Sequence, residues 1–240
     1  MHHILTRRTV IAAGGALAAA SLGGPAFAQG KRPIGVIGAG NIGGTIGALW
    51  VKNGHPVMFA SRNPEELKDM VTALGPLAKA GTVAEAIKFG SALFIAVPYA
   101  ALPQIGNDYK DALKGKIMLD ACNAVPARDG AAMVQEADTN GTGVTSQKYL
   151  AGTRLVRAFN TLGAKVFETQ ANRPAPRLAI PLAGDDAEAL RVAEELVRDA
   201  GFDPVVAGGL DSARKFQQRA PGAYGFQGSA AELKAKLAAT

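Results

Sequence analysis

Histidine and cysteine are scarce in this chain of 240 residues, and their scarcity excludes several kinds of chemistry. Cys122 is the only cysteine, so no disulfide can form within the chain. Beyond the first few residues His55 is the only histidine, and no C-x-x-C motif or histidine cluster predicts a metal site. The sequence also lacks a dense Lys/Arg cluster with interleaved aromatic residues, so nucleic-acid binding is unsupported.

The first 28 residues have the composition of an export signal. Arg7-Arg8 precede an apolar run from Val10 to Leu22, and Ala26-Phe27-Ala28 is a small-x-small cleavage pattern. The apolar run is too short for a permanent membrane-spanning helix. The segment predicts folded export to the periplasm with the twin-arginine machinery as a partner, and an uncleaved anchor is the alternative.

Residues 29–240 carry the predicted fold. Without the leader 212 residues remain, enough for one α/β domain with a substantial core. The formal charge falls from +6 to +4, because the leader contains two arginines and no acidic residue. The sequence leaves the oligomeric state open, a homodimer included.

A glycine-rich turn, Gly38-Ala39-Gly40-Asn41-Ile42-Gly43, follows an apolar run and precedes a helix that ends at Asn53-Gly54. In this context Gly38 permits a tight exit from the strand, Gly40 lets backbone N–H groups approach a pyrophosphate, and Gly43 lets the helix lie close to the sheet. The positive end of the helix favours an anion. The segment predicts a dinucleotide site, and a βαβ unit whose glycines serve only packing is the alternative.

The end of the second strand predicts which dinucleotide binds. No acidic residue occurs from 57 to 64, where an NAD-binding protein places Asp or Glu on the ribose. Ser61 and Arg62 instead offer a hydroxyl and a guanidinium that suit a phosphate dianion. NADP(H) is therefore favoured over NAD(H) and S-adenosylmethionine, and a solvated surface arginine is the alternative. Asn63-Pro64 and Glu66 predict a capping box at the next helix.

Apolar runs and amphipathic stretches alternate along the rest of the chain and predict an α/β fold. Further strands are predicted at 91–97, 116–120, 154–159, 178–183 and 204–207, and helices at 64–74, 82–89, 101–113, 162–169, 186–200 and 230–237. Gly184-Asp185 is predicted to cap the helix at 186. Residues 124–152 show little periodicity and are predicted as an irregular lid or binding loop.

These elements predict a single doubly wound, mostly parallel Rossmann sheet in residues 31–215, with a loop and short helical tail in residues 216–240. The carboxyl ends of the strands line the ligand crevice in such a sheet, so Val97 and Pro98 are expected near the nicotinamide. Tyr99 is expected there too, or as a lid aromatic. His55 lies at the opposite end and is a poor acid or base. Cys122 is predicted to be a buried small hydrophobe.

Several motifs together resemble the NADPH-dependent coenzyme F420 reductase family. They follow its order and spacing from Lys31 to Arg214: Gly38 to Gly43, Ala60-Ser61-Arg62, Ala96-Val97-Pro98, Ala158 to Thr161, Leu182 to Asp186 and Gly209 to Arg214. The same domain is similar to the NADPH-binding domain of STEAP-type metalloreductases and to the first domain of pyrroline-5-carboxylate reductases. The resemblance implies NADPH bound by Ala39 to Ile42, Ser61 and Arg62, with the nicotinamide near Val97, Pro98 and Asn160.

Three functions stay open. The leading one is an NADPH-dependent oxidoreductase that passes a hydride to a flavin, a deazaflavin or a chelated metal, because hydride passage to a stacked ring needs proximity more than a proton donor. Asn160 is expected to orient the carboxamide or the acceptor. An imine or carbonyl reductase is the second, with Tyr99, Asp120 and Lys165 as candidate proton donors. The third is an NADP(H) sensor or carrier without turnover.

Overall fold

One eight-stranded sheet organises residues 31–240, which are the residues described by the structure, a computed structural model. The strand order is β3-β2-β1-β4-β5-β6-β7-β8, and all neighbours are parallel except the antiparallel pair β6 and β7. The order of the first six strands is that of a dinucleotide-binding sheet, so the predicted fold class is confirmed. The strands are β1 Ile34–Ile37, β2 Val57–Ala60, β3 Ala78–Gly81, β4 Ala92–Ile95, β5 Ile117–Asp120, β6 Arg154–Arg157, β7 Ala179–Gly184 and β8 Asp203–Gly208.

Helices connect the strands and cover the sheet. They are α1 Asn41–Lys52, α2 Lys68–Leu74, α3 Val83–Phe89, α4 Leu102–Asp108, α5 Lys110–Leu113, α6 Pro126–Asp129, α7 Ala131–Asn140, α8 Thr142–Tyr149, α9 Ala164–Gln170, α10 Ala187–Asp199 and α11 Ala230–Ala238. Short 3₁₀ turns lie at Pro64–Leu67, Tyr99–Ala101 and Leu210–Phe216. No helix within residues 31–240 is long and apolar enough to cross a membrane. The predicted leader, residues 1–28, lies outside the described residues.

An aromatic cluster forms the centre of the core beside α1. Phe159 packs edge to face against Trp50, Phe94, Phe167 and Phe202, with ring centroids 5.6–6.2 Å apart. Such pairs contribute about 0.5–1.5 kcal/mol each beyond the area they bury. The indole Nε1 of Trp50 donates a hydrogen bond to the Leu196 carbonyl at 2.8 Å, so the helix after β1 is tied to the helix between β7 and β8.

The prediction of an irregular loop over residues 124–152 is wrong, because α6, α7 and α8 occupy most of this segment. Gly130 and Gly141 separate the three helices and have positive φ angles of 84° and 85°. The buried face of α8 consists of small polar residues rather than apolar ones, namely Thr142, Gly143, Thr145 and Ser146. Apolar periodicity is therefore absent although the segment is helical.

Several boundaries differ from the predictions. The predicted helix over 101–113 is interrupted at Tyr109, and β3 was not predicted because its residues Ala78–Gly81 lack an apolar run. Gly184 belongs to β7, and Asp186 caps α10 by accepting the Ala189 N–H. The predicted capping box at Asn63 and Glu66 is wrong: the Asn63 side chain accepts no cap hydrogen bond and instead donates to Glu66, and a 3₁₀ turn precedes α2.

The C-terminal segment packs on the sheet. Phe216, Ala223, Leu233 and Leu237 form a buried cluster with Val205 and its neighbours on β7 and β8. The helix predicted over 230–237 is present as α11, and it starts at a capping box between Ser229 and Glu232. Residues 216–228 are largely without regular structure, but they are held against the strand ends that form the candidate site.

Candidate functional site

The glycine turn between β1 and α1 has the geometry of a phosphate-binding loop. Gly38 has a φ of +95°, and a Cβ there would lie 2.5 Å from the Ala96 carbonyl oxygen. A Cβ at Gly43 would lie 1.8 Å from the Gly38 carbonyl oxygen. A Cβ at Gly40 meets nothing within 4 Å. The packing of the described chain thus requires the outer two glycines, whereas Gly40 leaves open space above the backbone.

The N-terminus of α1 faces that open space, and the N–H groups of its first turn have no side-chain cap. Gly40 is the N-cap, no side chain makes a cap hydrogen bond, and no acidic residue lies in the first turn. The first N–H groups of a helix lack partners within the helix and carry the positive end of its dipole. A twelve-residue helix of this kind fits the pyrophosphate of a dinucleotide.

The elbow after β2 carries Arg62, whose guanidinium has no partner among the described residues. Arg62 is exposed and makes no hydrogen bond or ion pair within residues 31–240. Ser61 Oγ accepts the Asn63 N–H at 3.2 Å, which fixes its position beside Arg62. The nearby acids are engaged elsewhere, since Glu65 pairs with Lys68 and Glu66 accepts from Asn63. Arg62 and Ser61 can therefore receive the additional phosphate of NADP(H).

A cleft of about 350 Å³ lies over the carboxyl ends of the central strands. Four of the predicted cofactor residues line it: Asn41, Ile42, Val97 and Pro98. The other lining residues are Ala96, Ala121, Cys122, Asn123, Val125, Arg128, Gln218 and Tyr224. The volume is at the lower end of the range for ligand pockets, about 300–1,000 Å³. The cleft continues from the N-terminus of α1 to the ends of β4 and β5, where a nicotinamide is expected.

Asn160 does not line this cleft. Its side chain is buried, its Nδ2 donates to the Phe216 carbonyl at 3.2 Å, and its Oδ1 has no partner among the described residues. The Asn160 carbonyl accepts a hydrogen bond of 2.7 Å from the Asn123 amide, and Asn123 does line the cleft. Phe159 precedes it with a φ of 58°, which turns the chain sharply after β6. Asn160 therefore connects Asn123 to the C-terminal segment from behind the cleft.

Asp120, a predicted proton donor, belongs to a buried ion pair below the cleft. Its carboxylate pairs with the Arg157 guanidinium, and both side chains are completely buried. The other carboxylate oxygen accepts the Cys122 N–H at 2.8 Å. With both oxygens engaged and no exposure, Asp120 does not reach the cleft.

The Cys122 thiol lines the cleft but is held in its neutral form. Burial and then the charge of Asp120 raise the pKa of the thiol well above its ordinary value. Sγ accepts the Val97 N–H at 3.4 Å and donates to the Ile95 carbonyl at 3.6 Å. The placement agrees with the prediction of a small buried hydrophobe.

Tyr99 and Lys165, the other two predicted proton donors, lie away from the cleft. Tyr99 is fully buried, its hydroxyl donates to the Thr142 carbonyl at 3.1 Å and accepts from Ser146 at 3.2 Å, and burial raises the pKa of its phenol. It is neither a cleft residue nor a lid aromatic. Lys165 is 81% exposed on α9 and pairs with Glu168 at 2.9 Å. His55 lies at the amino end of the sheet, as predicted, and is buried between the Arg32 carbonyl and Asp199.

Arg128, Gln218 and Tyr224 line the cleft and were not found from the sequence. They lie in the two segments that were predicted to be irregular, residues 124–152 and 216–228. No motif marks them, because a single arginine, glutamine or tyrosine in a polar stretch has no periodicity to distinguish it. Within residues 31–240 no group of three His, Cys, Asp or Glu side chains is placed to hold a metal ion.

Comparison with known proteins points to dinucleotide-dependent reductases. Residues 33–124 match the family described as "NADP oxidoreductase coenzyme F420-dependent". The chain is 27% identical over 187 residues to the metalloreductase STEAP3 of Rattus norvegicus, covering 77% of this chain and 35% of that protein. It is 26% identical over 180 residues to the F420-dependent NADP reductase of Methanothermobacter marburgensis, covering 70% of this chain and 80% of that protein. The chain thus spans about a third of the first relative's length.

Solved structures share the fold. A hypothetical protein from Sinorhizobium meliloti is 27% identical with a TM-score of 0.72, and the match covers 85% of this chain and 97% of that chain. A pyrroline-5-carboxylate reductase from Coxiella burnetii has a TM-score of 0.56 at 16% identity, covering 78% of this chain and 62% of that chain. The second likeness is one of fold alone.

The fold, the site and these comparisons define a dinucleotide-binding oxidoreductase with a Rossmann sheet. The resemblance predicted from the sequence is confirmed: the chain is similar to an F420-dependent NADP reductase and to a STEAP-type metalloreductase over most of its length.

Proposed function

We propose that this protein binds NADPH and passes its hydride to a planar or redox acceptor such as a flavin, a deazaflavin or a chelated metal. The observation that carries the proposal is the exposed Arg62 guanidinium beside Ser61, which has no partner within residues 31–240 and lies at the elbow where a ribose phosphate is expected. NADPH, when bound, supplies the hydride. The residues of the chain bind and orient the two reactants.

Each part of the site has a separate task. The open space at Gly40 and the N–H groups of α1 bind the pyrophosphate. Arg62 and Ser61 bind the 2′-phosphate with charge-assisted hydrogen bonds. Val97 and Pro98 form an apolar wall that holds the nicotinamide ring and excludes water from one of its faces.

The scarcity of proton donors favours an acceptor that needs orientation rather than acid catalysis. Arg128 is the only charged side chain among the described residues that line the cleft. The Cys122 thiol has a raised pKa, and Asp120, Tyr99 and Lys165 do not reach the cleft. Hydride passage to a stacked ring requires mainly a close approach of the two rings.

Tyr224 favours a second function, reduction of an imine or a carbonyl. Its ring is partly exposed and lines the cleft, so its hydroxyl is the one phenol among the described residues that can meet a substrate there. Replacement of Tyr224 by Phe distinguishes the two functions. A loss of at least tenfold in kcat with 1-pyrroline, with flavin reduction unchanged, supports the imine reductase.

Rapid mixing of the NADPH-loaded protein with a panel of acceptors tests the proposal. We expect loss of the nicotinamide absorbance with at least one of FMN, riboflavin, a deazaflavin or a ferric chelate. Turnover of 1-pyrroline with all of these inert would favour the imine reductase. NADP(H) retained through purification, with no turnover of any acceptor, would favour the third function, a carrier or sensor.

We also propose that the protein acts in the periplasm after folded export by the twin-arginine machinery. The Arg7-Arg8 pair, the short apolar run and the Ala26-Phe27-Ala28 pattern support this. Folded export would carry a cofactor bound in the cytoplasm across the membrane. Replacing both arginines by lysine should keep the protein in the cytoplasm, and unchanged periplasmic recovery would refute the export route.

A further inference from the structure

The far wall of the cleft consists of residues that the cofactor site does not use. Arg128 belongs to α6, after β5, and Gln218 and Tyr224 belong to a C-terminal strap, residues 217–226. In the strand order β5 lies beyond β4, whereas the elbow with Arg62 follows β2 on the other side of β1. Arg128 therefore lies on the nicotinamide side of the sheet, on the other side of β1 from the Arg62 elbow.

Arg128 is held in a fixed orientation by its neighbours. Its Nε and Nη2 donate to Asp129 at 2.8–3.2 Å, and Nη2 also donates to the Asn123 carbonyl at 2.7 Å. Its Nη1 makes no hydrogen bond within residues 31–240, and the side chain is 44% exposed. One nitrogen of a preorganised guanidinium therefore remains available to a ligand.

Asp129 offsets only part of the attraction that Arg128 exerts on an anion. Its side chain is fully buried, and its oxygens accept the N–H groups of Val125 at 2.7 Å and Ala100 at 3.1 Å. The negative charge of Asp129 is therefore shared among these two N–H groups and the Arg128 guanidinium. No acidic residue is among the described residues that line the cleft, so Asp129, which lies behind Arg128, is the acid that a bound anion would have nearest to it through this guanidinium.

We infer that Arg128 binds a phosphate or carboxylate group on the hydride acceptor, so that the acceptor of this protein is anionic. The inference rests on the proposed function, because it concerns the acceptor side of the same cleft. Tyr224 and Gln218 line the same cleft, which gives a planar acceptor an aromatic side chain and an amide. Arg128 is a specificity residue that recognises the substituent and positions the ring against the nicotinamide.

FMN and riboflavin form a matched pair of probes, because they carry the same ring and differ by one phosphate. With the full chain loaded with NADPH, we expect kcat/KM to be at least about tenfold higher for FMN. Arg128→Gln should bring the ratio close to one by reducing turnover of FMN while riboflavin turnover is unchanged. Arg128→Lys should keep part of the preference. Arg191→Gln on α10 removes an equal charge far from the cleft lining and should change nothing.

A ratio close to one in the unaltered protein, or an equal loss for both flavins in Arg128→Gln, would overturn the inference and leave the proposed function intact. The NADPH dissociation constant should be unchanged in Arg128→Gln, and a tenfold weakening would assign Arg128 to the cofactor. Thermal unfolding of both Arg128 variants checks that they fold.

If the unaltered protein reduces neither flavin, the proposed function fails for flavins, and binding to the NADP⁺-loaded protein decides the inference. FMN binding at least tenfold tighter than riboflavin, lost in Arg128→Gln, supports an anion site. Equal affinities refute it.

Discussion

Gly40 and Gly43 lie in the same turn but have different surroundings. A Cβ at Gly43 would lie 1.8 Å from a backbone oxygen, whereas a Cβ at Gly40 meets nothing within 4 Å and the φ of Gly40 is an ordinary −75°. Gly43→Ala should therefore lower the free energy of unfolding by about 1–3 kcal/mol through overpacking. Gly40→Ala should leave stability almost unchanged and weaken NADPH binding at least tenfold, because its methyl group occupies the space for the pyrophosphate. Thermal unfolding and NADPH titration of both variants separate the effects, and an unchanged affinity in Gly40→Ala would contradict the phosphate assignment.

Variants of Asp120 and Lys165 test whether their ion pairs, one buried and one exposed, only stabilise the fold. Asp120→Asn leaves the buried Arg157 without its counter-charge, so the free energy of unfolding should fall by about 3–5 kcal/mol. Lys165→Met removes an exposed pair with Glu168 and should cost less than about 1 kcal/mol. Turnover should be unchanged in Lys165→Met, and a large loss there would restore Lys165 as a proton donor.

Asp199 at the amino end of the sheet makes stability depend on pH. Its burial raises its pKa, but hydrogen bonds and charge from Lys31 and the His55 ring outweigh burial, so the pKa lies below its usual value. A lowered pKa stabilises the fold fully above the unfolded-state pKa of about 4, and this contribution is lost as the pH falls through the folded-state pKa. Asp199→Asn should be less stable than the unaltered protein at pH 7, and the difference should shrink below pH 4. A difference that stays constant down to pH 2 would contradict this account.

The strap, residues 217–226, is the element that links the C-terminal part to the cleft. Arg219 has a φ of 67°, uncommon outside glycine, and is held by two hydrogen bonds to Asp138 at 2.8 and 3.0 Å and one to the Ala124 carbonyl at 2.7 Å. At the other end, the Gly225 N–H donates to the Thr161 carbonyl at 3.0 Å. These contacts fix the strap between the end of β6 and α7.

Asp138→Asn should loosen the strap without touching either reactant. Because Gln218 and Tyr224 form the acceptor wall, we expect KM for the acceptor to rise several-fold while the NADPH dissociation constant stays the same. Steady-state kinetics with saturating NADPH measures the first quantity, and fluorescence titration the second. Glu168→Gln on the surface of α9 is a matched control. Equal weakening of both reactants would show that the strap has a general structural role.

The apolar patterns of β4 and α10 predict these elements from the sequence, whereas β3 and α8 lack such a pattern and are missed. β4 is a continuous apolar run, and α10 has buried residues at helical spacing, so both were found. In α8 the N–H of the buried Thr142 donates to the Gln217 side chain, and the hydroxyl of the buried Ser146 donates to the Tyr99 hydroxyl. Both partners are distant in sequence. In α8 these hydrogen bonds take the place of an apolar face, so the spacing of apolar residues does not reveal the helix.

The residues that bind the cofactor can be predicted from the sequence more completely than those that line the acceptor side of the cleft. The glycine turn and the Ser61-Arg62 elbow act through backbone geometry and adjacent residues, so their chemistry is contained in short motifs. The acceptor wall joins α6 to a strap about 90 residues later in the chain, and Asn160 bonds to Asn123 and Phe216 rather than facing the ligand. Only the folded chain brings Arg128 and Tyr224 to one cleft.

The preference for NADPH over NADH depends on the Arg62 elbow. The most direct test is titration of the unaltered protein, Arg62→Ala and the control Arg191→Ala with NADPH and with NADH. We predict that the unaltered protein and the control bind NADPH at least about 100-fold more tightly than NADH, since charge-assisted hydrogen bonds to the phosphate contribute about 1.5–3 kcal/mol each. Arg62→Ala should lose most of this preference and bind NADH as before. Tighter binding of NADH by the unaltered protein, or an unchanged preference in Arg62→Ala, would contradict the account.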